Sequence, residues 1–255
     1  LRLLHPNENR GAVTIDEERD YHFRYVLEDN FGNRRTYQFI VKGKRQDIPE
    51  YKPEANEMLY WNRTNVIQKP GMELVVPRYY VYEDVPLRTD MRGDSSHIAF
   101  DYILDAGRTP IHSYCDLSIG LRHMPVADTT KYYIVQKAGK WRSSMGGKYA
   151  NGWIKTRVRS LGTFSVDVDT IAPQITPIGQ GGWRTSRNIR FRIKDMESGI
   201  GSYKVYIDGK FVLFGLKKGI LVIQNPEKVK KGVPHKLEVT VTDQCGNMTR
   251  KEYKF

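Results

Sequence analysis

The chain has 255 residues, a net charge of +12 and 39% hydrophobic side chains. That length is enough for two domains of ordinary size, and the composition is far from that of a disordered chain. No run of about 18 apolar residues occurs, which excludes a membrane-spanning helix. No sustained i, i+3, i+4, i+7 apolar stripe marks a long helix.

The 16 Tyr, 9 Phe and 4 Trp fall mostly in short alternating runs, and this favours an all-β fold. Residues 1–15 show no firm period and are expected to hold one strand and a loop. Residues 21–28 and 36–41 form alternating runs around a polar turn, with Phe23, Tyr25, Leu27, Phe39 and Val41 on one side. Residues 44–56 are polar and contain Pro49 and Pro53, so an extended connector is expected there. Because only the last third of a sandwich precedes that connector, residues 1–45 read as a partial module. The chain is accordingly expected to be the C-terminal piece of a longer protein.

Residues 46–171 form a predicted middle β-sandwich. Leu74 to Val76 and Tyr79 to Tyr82 read as strand, as do alternating Ile98, Phe100, Tyr102 and Leu104. Further strands are expected at Tyr114 to Ile119, Tyr132 to Val135, Trp153 to Val158 and Thr163 to Val168, seven or eight in all. Asp169-Thr170-Ile171-Ala172-Pro173 marks a joint, because a proline cannot donate to a sheet ladder.

Residues 172–255 read as a complete small module. Ile189, Phe191 and Ile193 alternate with Arg190, Arg192 and Lys194, and Tyr203, Val205 and Ile207 follow. Asp208-Gly209 predicts a type I′ hairpin turn, which needs positive φ at both positions. The chain closes with Leu237, Val239 and Val241, a turn spelled Asp243-x-x-Gly246-Asn247, and Tyr253 and Phe255. Shifted by 214 positions this is the first hairpin again, with Asp29-x-x-Gly32-Asn33 as its turn. The two are expected to be closing hairpins of related sandwiches. The predicted fold is therefore all-β, with tandem immunoglobulin-like β-sandwich modules over 1–45, 46–171 and 172–255, the first one partial.

Few motifs carry chemistry. His97-x-x-x-Asp101 has the spacing of a zinc-ligand pair, but no His-x-His accompanies it among His5, His22, His97, His112, His123 and His235, and catalytic zinc needs three protein ligands. An alternating strand would place His97 and Asp101 as ordinary outward residues. No catalytic or metal residue is assigned. Gly146-Gly147 and Gly181-Gly182 do not open helices in this reading, so no phosphate cradle follows. Arg92-Gly93-Asp94 is an adhesion-type tripeptide. Asn62-Arg63-Thr64 and Asn247-Met248-Thr249 fit the glycosylation acceptor pattern. Cys115 and Cys245 fall in different modules, so a disulfide framework is not expected. Trp61, Trp141, Trp153 and Trp183 are core candidates, or exposed platforms.

The charge is concentrated in residues 172–255, with 16 basic against 7 acidic side chains. Arg184, Arg187, Arg190, Arg192 and Lys194 are the candidate contacts to an anionic polymer. The alternative is a solvated face that blunts a sheet edge. No base-stacking motif accompanies the charge, so nucleic acid is not expected as a partner.

The string Asp169-Thr170-Ile171-Ala172-Pro173, then Asp195-x-x-Ser198-Gly199-Ile200, Tyr203-x-Val205-x-Ile207-Asp208-Gly209 and Asp243-x-x-Gly246-Asn247 resemble the signatures of bacterial immunoglobulin-like modules. Their order resembles the C-terminal region of lysostaphin-type metallopeptidases from Bacteroidetes. The resemblance implies an exported, periplasmic or envelope-associated protein acting on or near peptidoglycan. This chain would be the non-catalytic accessory array that positions or regulates an upstream peptidase domain. No cofactor would bind here, zinc belonging to that upstream domain. The alternative function is an independent module binding peptidoglycan or another anionic envelope polymer.

Overall fold

The computed structural model describes residues 13–45, 54–94 and 96–255. Most of the strand and loop expected over residues 1–15, and the centre of the connector, lie outside the described residues. The chain divides into two compact units, Leu1–Lys52 and Pro53–Phe255. The all-β expectation holds.

The first unit contains β1 (Asp20–Glu28) and β2 (Arg34–Lys42), paired antiparallel as a two-stranded sheet. Tyr21 is buried and Phe23, Phe39 and Val41 are half-buried, but the strand ends nearer the turn are not covered. Tyr25, Leu27 and Tyr37 are 53%, 63% and 64% exposed. They stand beside a short aromatic ladder, with Phe23 and Phe39 stacked at 5.1 Å and Tyr25 on Phe39 at 5.8 Å. Alternation made the strands, but among the described residues of this unit no second sheet covers them.

The second unit begins with eleven strands where seven or eight were expected. They are β3 (Glu57–Leu59), β4 (Asn65–Lys69), β5 (Met72–Val76), β6 (Val85–Arg92), β7 (Asp101–Asp105), β8 (Cys115–Gly120), β9 (Tyr132–Ala138), β10 (Trp141–Ser144), β11 (Lys148–Ala150), β12 (Trp153–Val158) and β13 (Gly162–Val168). Two sheets result, ordered β10-β9-β13-β7-β6-β3 and β11-β12-β8-β5-β4. Leu74, Leu104, Leu117, Ile134 and Phe164, all fully buried, belong to one core cluster. Burying such a side chain contributes about 1.5–3 kcal/mol.

Two expectations fail here for local reasons. Tyr79 to Tyr82 is a turn rather than a strand: Tyr79 has φ +69° and the Tyr80 amide donates back to Pro77. The strand expected from Ile98 starts only at Asp101, since residues 97–99 are spent on a bend.

The last sandwich comprises β14 (Gln174–Ile178), the four-residue helix α1 (Trp183–Ser186), β15 (Arg190–Lys194), β16 (Ile200–Ile207), β17 (Lys210–Phe211), β18 (Phe214–Lys217), β19 (Ile220–Ile223), β20 (Lys236–Asp243) and β21 (Met248–Lys254). Its sheets are β14-β15-β19-β18 and β17-β16-β20-β21. Contrary to expectation, Gly181-Gly182 do lead into a helix, α1, which is a single turn. Trp183 on that turn is fully buried; its ring packs edge-on to Phe191, Tyr253 and Phe255, and its indole N–H donates to the Ile178 carbonyl. Asp208 and Gly209 have φ +49° and +74°, the I′ turn the dipeptide predicts. The Asp208 carboxylate faces Nδ1 of buried His235 at 2.6 Å.

Candidate functional site

The basic residues are placed first by strand alternation. On β15, Phe191 and Ile193 are buried, so Arg190, Arg192 and Lys194 project from the opposite face, all exposed. Their neighbours on that face follow from the register. Arg190 lies between Ile178 of β14 and Val222 of β19; Arg192 lies between Thr176 and Ile220; Lys194 is opposite Gln174. One strand further, Lys217 of β18 is opposite Ile220. This outer face therefore holds four cations, two of them arginines, beside aliphatic Ile220 and Val222, and no carboxylate. Among the described residues none of the four has an ion-pair or side-chain hydrogen-bond partner.

The other two predicted residues sit elsewhere. Arg184 is on α1, and its Nε donates to the Gly232 carbonyl at 2.9 Å. Arg187 takes the left-handed conformation that ends α1, with φ +58°, and its charge acts on Glu227. The sequence run 184–194 thus mixes two structural roles, because the helical turn breaks the alternation before β15 starts. Lys217 comes to the face only through the β18–β19 pairing.

The second feature is the joint between the two sandwiches, where buried carboxylates meet. Asp169, essentially fully buried, accepts at Oδ2 from the Ser198 N–H at 3.0 Å and the Ser198 hydroxyl at 2.6 Å. Its Oδ1 accepts from the Ile171 N–H, and its carbonyl accepts from Asn247 Nδ2 at 3.0 Å. The Asp169 N–H donates in the other direction, to the Lys131 carbonyl of the middle sandwich. One residue is thereby hydrogen-bonded to both modules, as a buried carboxylate must be to offset its lost hydration.

Around it, Lys131 Nζ donates to the Cys245 carbonyl at 3.0 Å. Tyr133, Val135 and Cys245 form a small apolar cluster across the joint. Cys115 and Cys245 are both free thiols, and burial pushes the Cys245 thiol up to about 11. Desolvation also raises the Asp243 carboxyl above its ordinary 3.8, helped by the nearby Asp169 charge and opposed by the Asn247 side chain.

Asp169, Asp195 and Asp243 bring carboxylate oxygens within 4.8 Å of one another, the donor type that a hard cation such as Ca2+ takes. Those oxygens already accept from N–H and O–H groups, including Glu197 and Gly199 amides on Asp195 and Cys245 and Asn247 amides on Asp243. As they stand, the bonds account for the cluster.

The remaining motifs are resolved by their contacts. His97 is in the bend before β7 and faces Asp94 at 2.9 Å, while Asp101 takes Lys137 at 2.6 Å, so the two do not converge. Asp94 of the Arg-Gly-Asp string is engaged by Ser96 and His97, and the Ser96 hydroxyl above all holds its carboxyl well below the usual range. The Asn247 amide is committed to Asp243 and Asp169. Of the tryptophans, Trp183 is core and Trp141, on edge strand β10, is 81% exposed.

Fold and joint define the molecule as an all-β array of sandwich modules. Within it, residues 56–169 match the model of the Zu5-like domain, a stretch that covers the middle sandwich, ends at Asp169 and is less than half of the chain. No curated protein matches the chain. Among solved structures, the chain is similar to a Ca2+-stabilized adhesin that helps an Antarctic bacterium reach out and bind ice. The identity is 10%, covering 92% of this chain and 80% of that one, with a TM-score of 0.23. The glycoside hydrolase domain of Endo-D from Streptococcus pneumoniae R6 matches at 12% identity over 71% of this chain and 38% of that one, also at a TM-score of 0.23. Among the described residues no helix is long and apolar enough to cross a membrane.

Proposed function

We propose that the chain is a non-catalytic binding array of an exported protein, in which the middle sandwich (46–171) and the C-terminal sandwich (172–255) meet an external ligand as one unit. The observation that supports it is the joint. Asp169 bonds to Lys131 on one side and to Ser198 and Asn247 on the other. A joint held in this way keeps the exposed faces of both modules in a constant relation, which lowers the ordering cost of binding an extended ligand. The groups perturbed by burial there, Tyr133, Cys245 and Asp243, serve that packing.

In the finer form of this reading, the array belongs to a cell-wall metallopeptidase and positions or regulates its catalytic domain, with zinc and the catalytic residues upstream. That form rests on the resemblance in module order.

Co-sedimentation of the chain with purified sacculi and with extracted envelope polymers tests the reading. Retention by at least one fraction, without cleavage of muropeptides, is the expected result. No retention by any fraction, or muropeptide cleavage with one bound zinc per chain, would overturn it.

A further inference from the structure

The two outer faces of the C-terminal sandwich carry charge in opposite ways. On the β16-β20-β21 side the cations share the face with carboxylates: Arg250 reaches Glu238 at 2.6 Å, and Lys236 reaches Glu238 at 3.1 Å and Glu252 at 3.2 Å, with Lys204 and Lys254 beside them. Such exposed pairs offset part of the charge of a solvated face and contribute little to stability. On the β15 side, Arg190, Arg192, Lys194 and Lys217 have no acidic neighbour on the face. Within one small module, one face mixes cations with carboxylates and the other carries cations alone.

We infer that the β15 face is a binding surface for a linear phosphate-bearing polymer of polyol or sugar units. The inference rests on the binding-array reading above and names its ligand class. Three physical arguments carry it. Charge complementarity demands an anion, since clustered unpaired cations concentrate acidic partners. Spacing demands a repeated anion: alternate residues of an extended strand are about 6.8 Å apart, so Arg190, Arg192 and Lys194 form a straight row of three equally spaced cations. Residue type suits an oxyanion such as phosphate, because the planar guanidinium fork matches its oxygens two at a time. Beside the row, opposite Arg192 and Arg190, stand aliphatic Ile220 and Val222, both half-buried, which suit the carbon skeleton of a polyol. Single-stranded nucleic acid is the weaker fit, because that ligand is held by aromatic rings under its bases and this face has none.

The test uses the full chain and soluble poly(glycerol phosphate) as the probe, with single-stranded DNA as the competing polyanion. Binding is measured by titration calorimetry at several salt concentrations. The triple variant R190E/R192E/K194E is expected to bind at least tenfold more weakly and to lose about one unit of salt slope per cation removed. The control K236E/R250E, on the face that mixes cations with carboxylates, is expected to bind as the parent does. Equal weakening by both variants would reduce the effect to net charge and overturn the inference, as would DNA binding tighter than the polyol phosphate. Should the parent be retained by envelope fractions while the triple variant is retained equally, the face is wrong and the binding-array reading stands. Should the parent be retained by no fraction, both fall. Circular dichroism of each variant confirms that the sandwich is intact.

Discussion

Hairpins β1–β2 and β20–β21 are built to one plan and end in different environments. Their registers agree pair by pair: Phe23 faces Phe39 as Leu237 faces Tyr253, Tyr25 faces Tyr37 as Val239 faces Lys251, and Leu27 faces Arg35 as Val241 faces Thr249. Their turns agree bond by bond. Asp29 Oδ1 accepts from the Phe31 and Asn33 amides and Oδ2 from Asn33 Nδ2; Asp243 does the same with Cys245 and Asn247. Gly32 and Gly246 both have φ +80°, a conformation glycine adopts without steric cost. Yet Leu237, Val239 and Val241 are fully buried under the β14-β15-β19-β18 sheet, whereas Tyr25 and Leu27 are more than half exposed. Local sequence builds the hairpin; only an opposing sheet turns its apolar face into a core.

The largest expected difference is in side-chain truncation. Leu237→Ala removes a buried side chain from a packed core and is expected to cost about 2–5 kcal/mol. The equivalent Phe23→Ala is expected to cost no more than about 1.5 kcal/mol, the upper worth of an aromatic pair. Hydrogen exchange read amide by amide in each hairpin checks both, and similar losses in the two would break the comparison.

A smaller effect is expected from the turn asparagines. Asn247→Ala takes hydrogen bonds from two buried carboxylates, Asp243 and Asp169, and is expected to destabilise by about 1–3 kcal/mol. Asn33→Ala leaves Asp29 in water and is expected to produce no resolvable change in denaturant midpoint. Chemical unfolding of the two variants side by side decides it.

The smallest effect is a difference in sign between two aspartates with identical turn bonds. For exposed Asp29 the Asn33 side chain, joined by the Asn33 and Phe31 amides, lowers the carboxyl below 3.8. Its stabilisation is present above that pH and is lost as the pH falls through the lowered value. For Asp243, desolvation outweighs the same bonds and raises the carboxyl. The folded state then holds the proton more tightly than the unfolded chain, so this group favours folding most at low pH and loses that contribution as the pH rises through the raised value. Carboxyl 13C titration of the two residues should give midpoints on opposite sides of 3.8. Two midpoints on the same side would mean that burial does not separate the turns.

Much of the architecture was readable because it is written in local periodicity. Alternation on β15, the Asp208-Gly209 turn and both Asp-x-x-Gly-Asn turns follow from short-range sterics and hydrogen bonding, which neighbouring residues determine among themselves. One misreading was itself local, and another arose where a nonlocal partner decided. Tyr79 to Tyr82 has the composition of a strand, but a turn closed by Pro77 occupies it. The run from Arg184 to Lys194 reads as one basic patch, but the burial of Trp183 against Phe191, Tyr253 and Phe255 turns α1 away from the β15 row.

By itself, then, the sequence determined an all-β chain, its principal hairpins and the alternating exposure of Arg190, Arg192 and Lys194, because a strand has period two wherever it lies. Tertiary structure alone decided that Lys217 shares that face, that no second sheet covers β1–β2 among the described residues of its unit, and that Asp169 binds both sandwiches. Each of these depends on which distant segment arrives opposite, and burial, desolvation and the partners of a carboxylate are properties of that arrival.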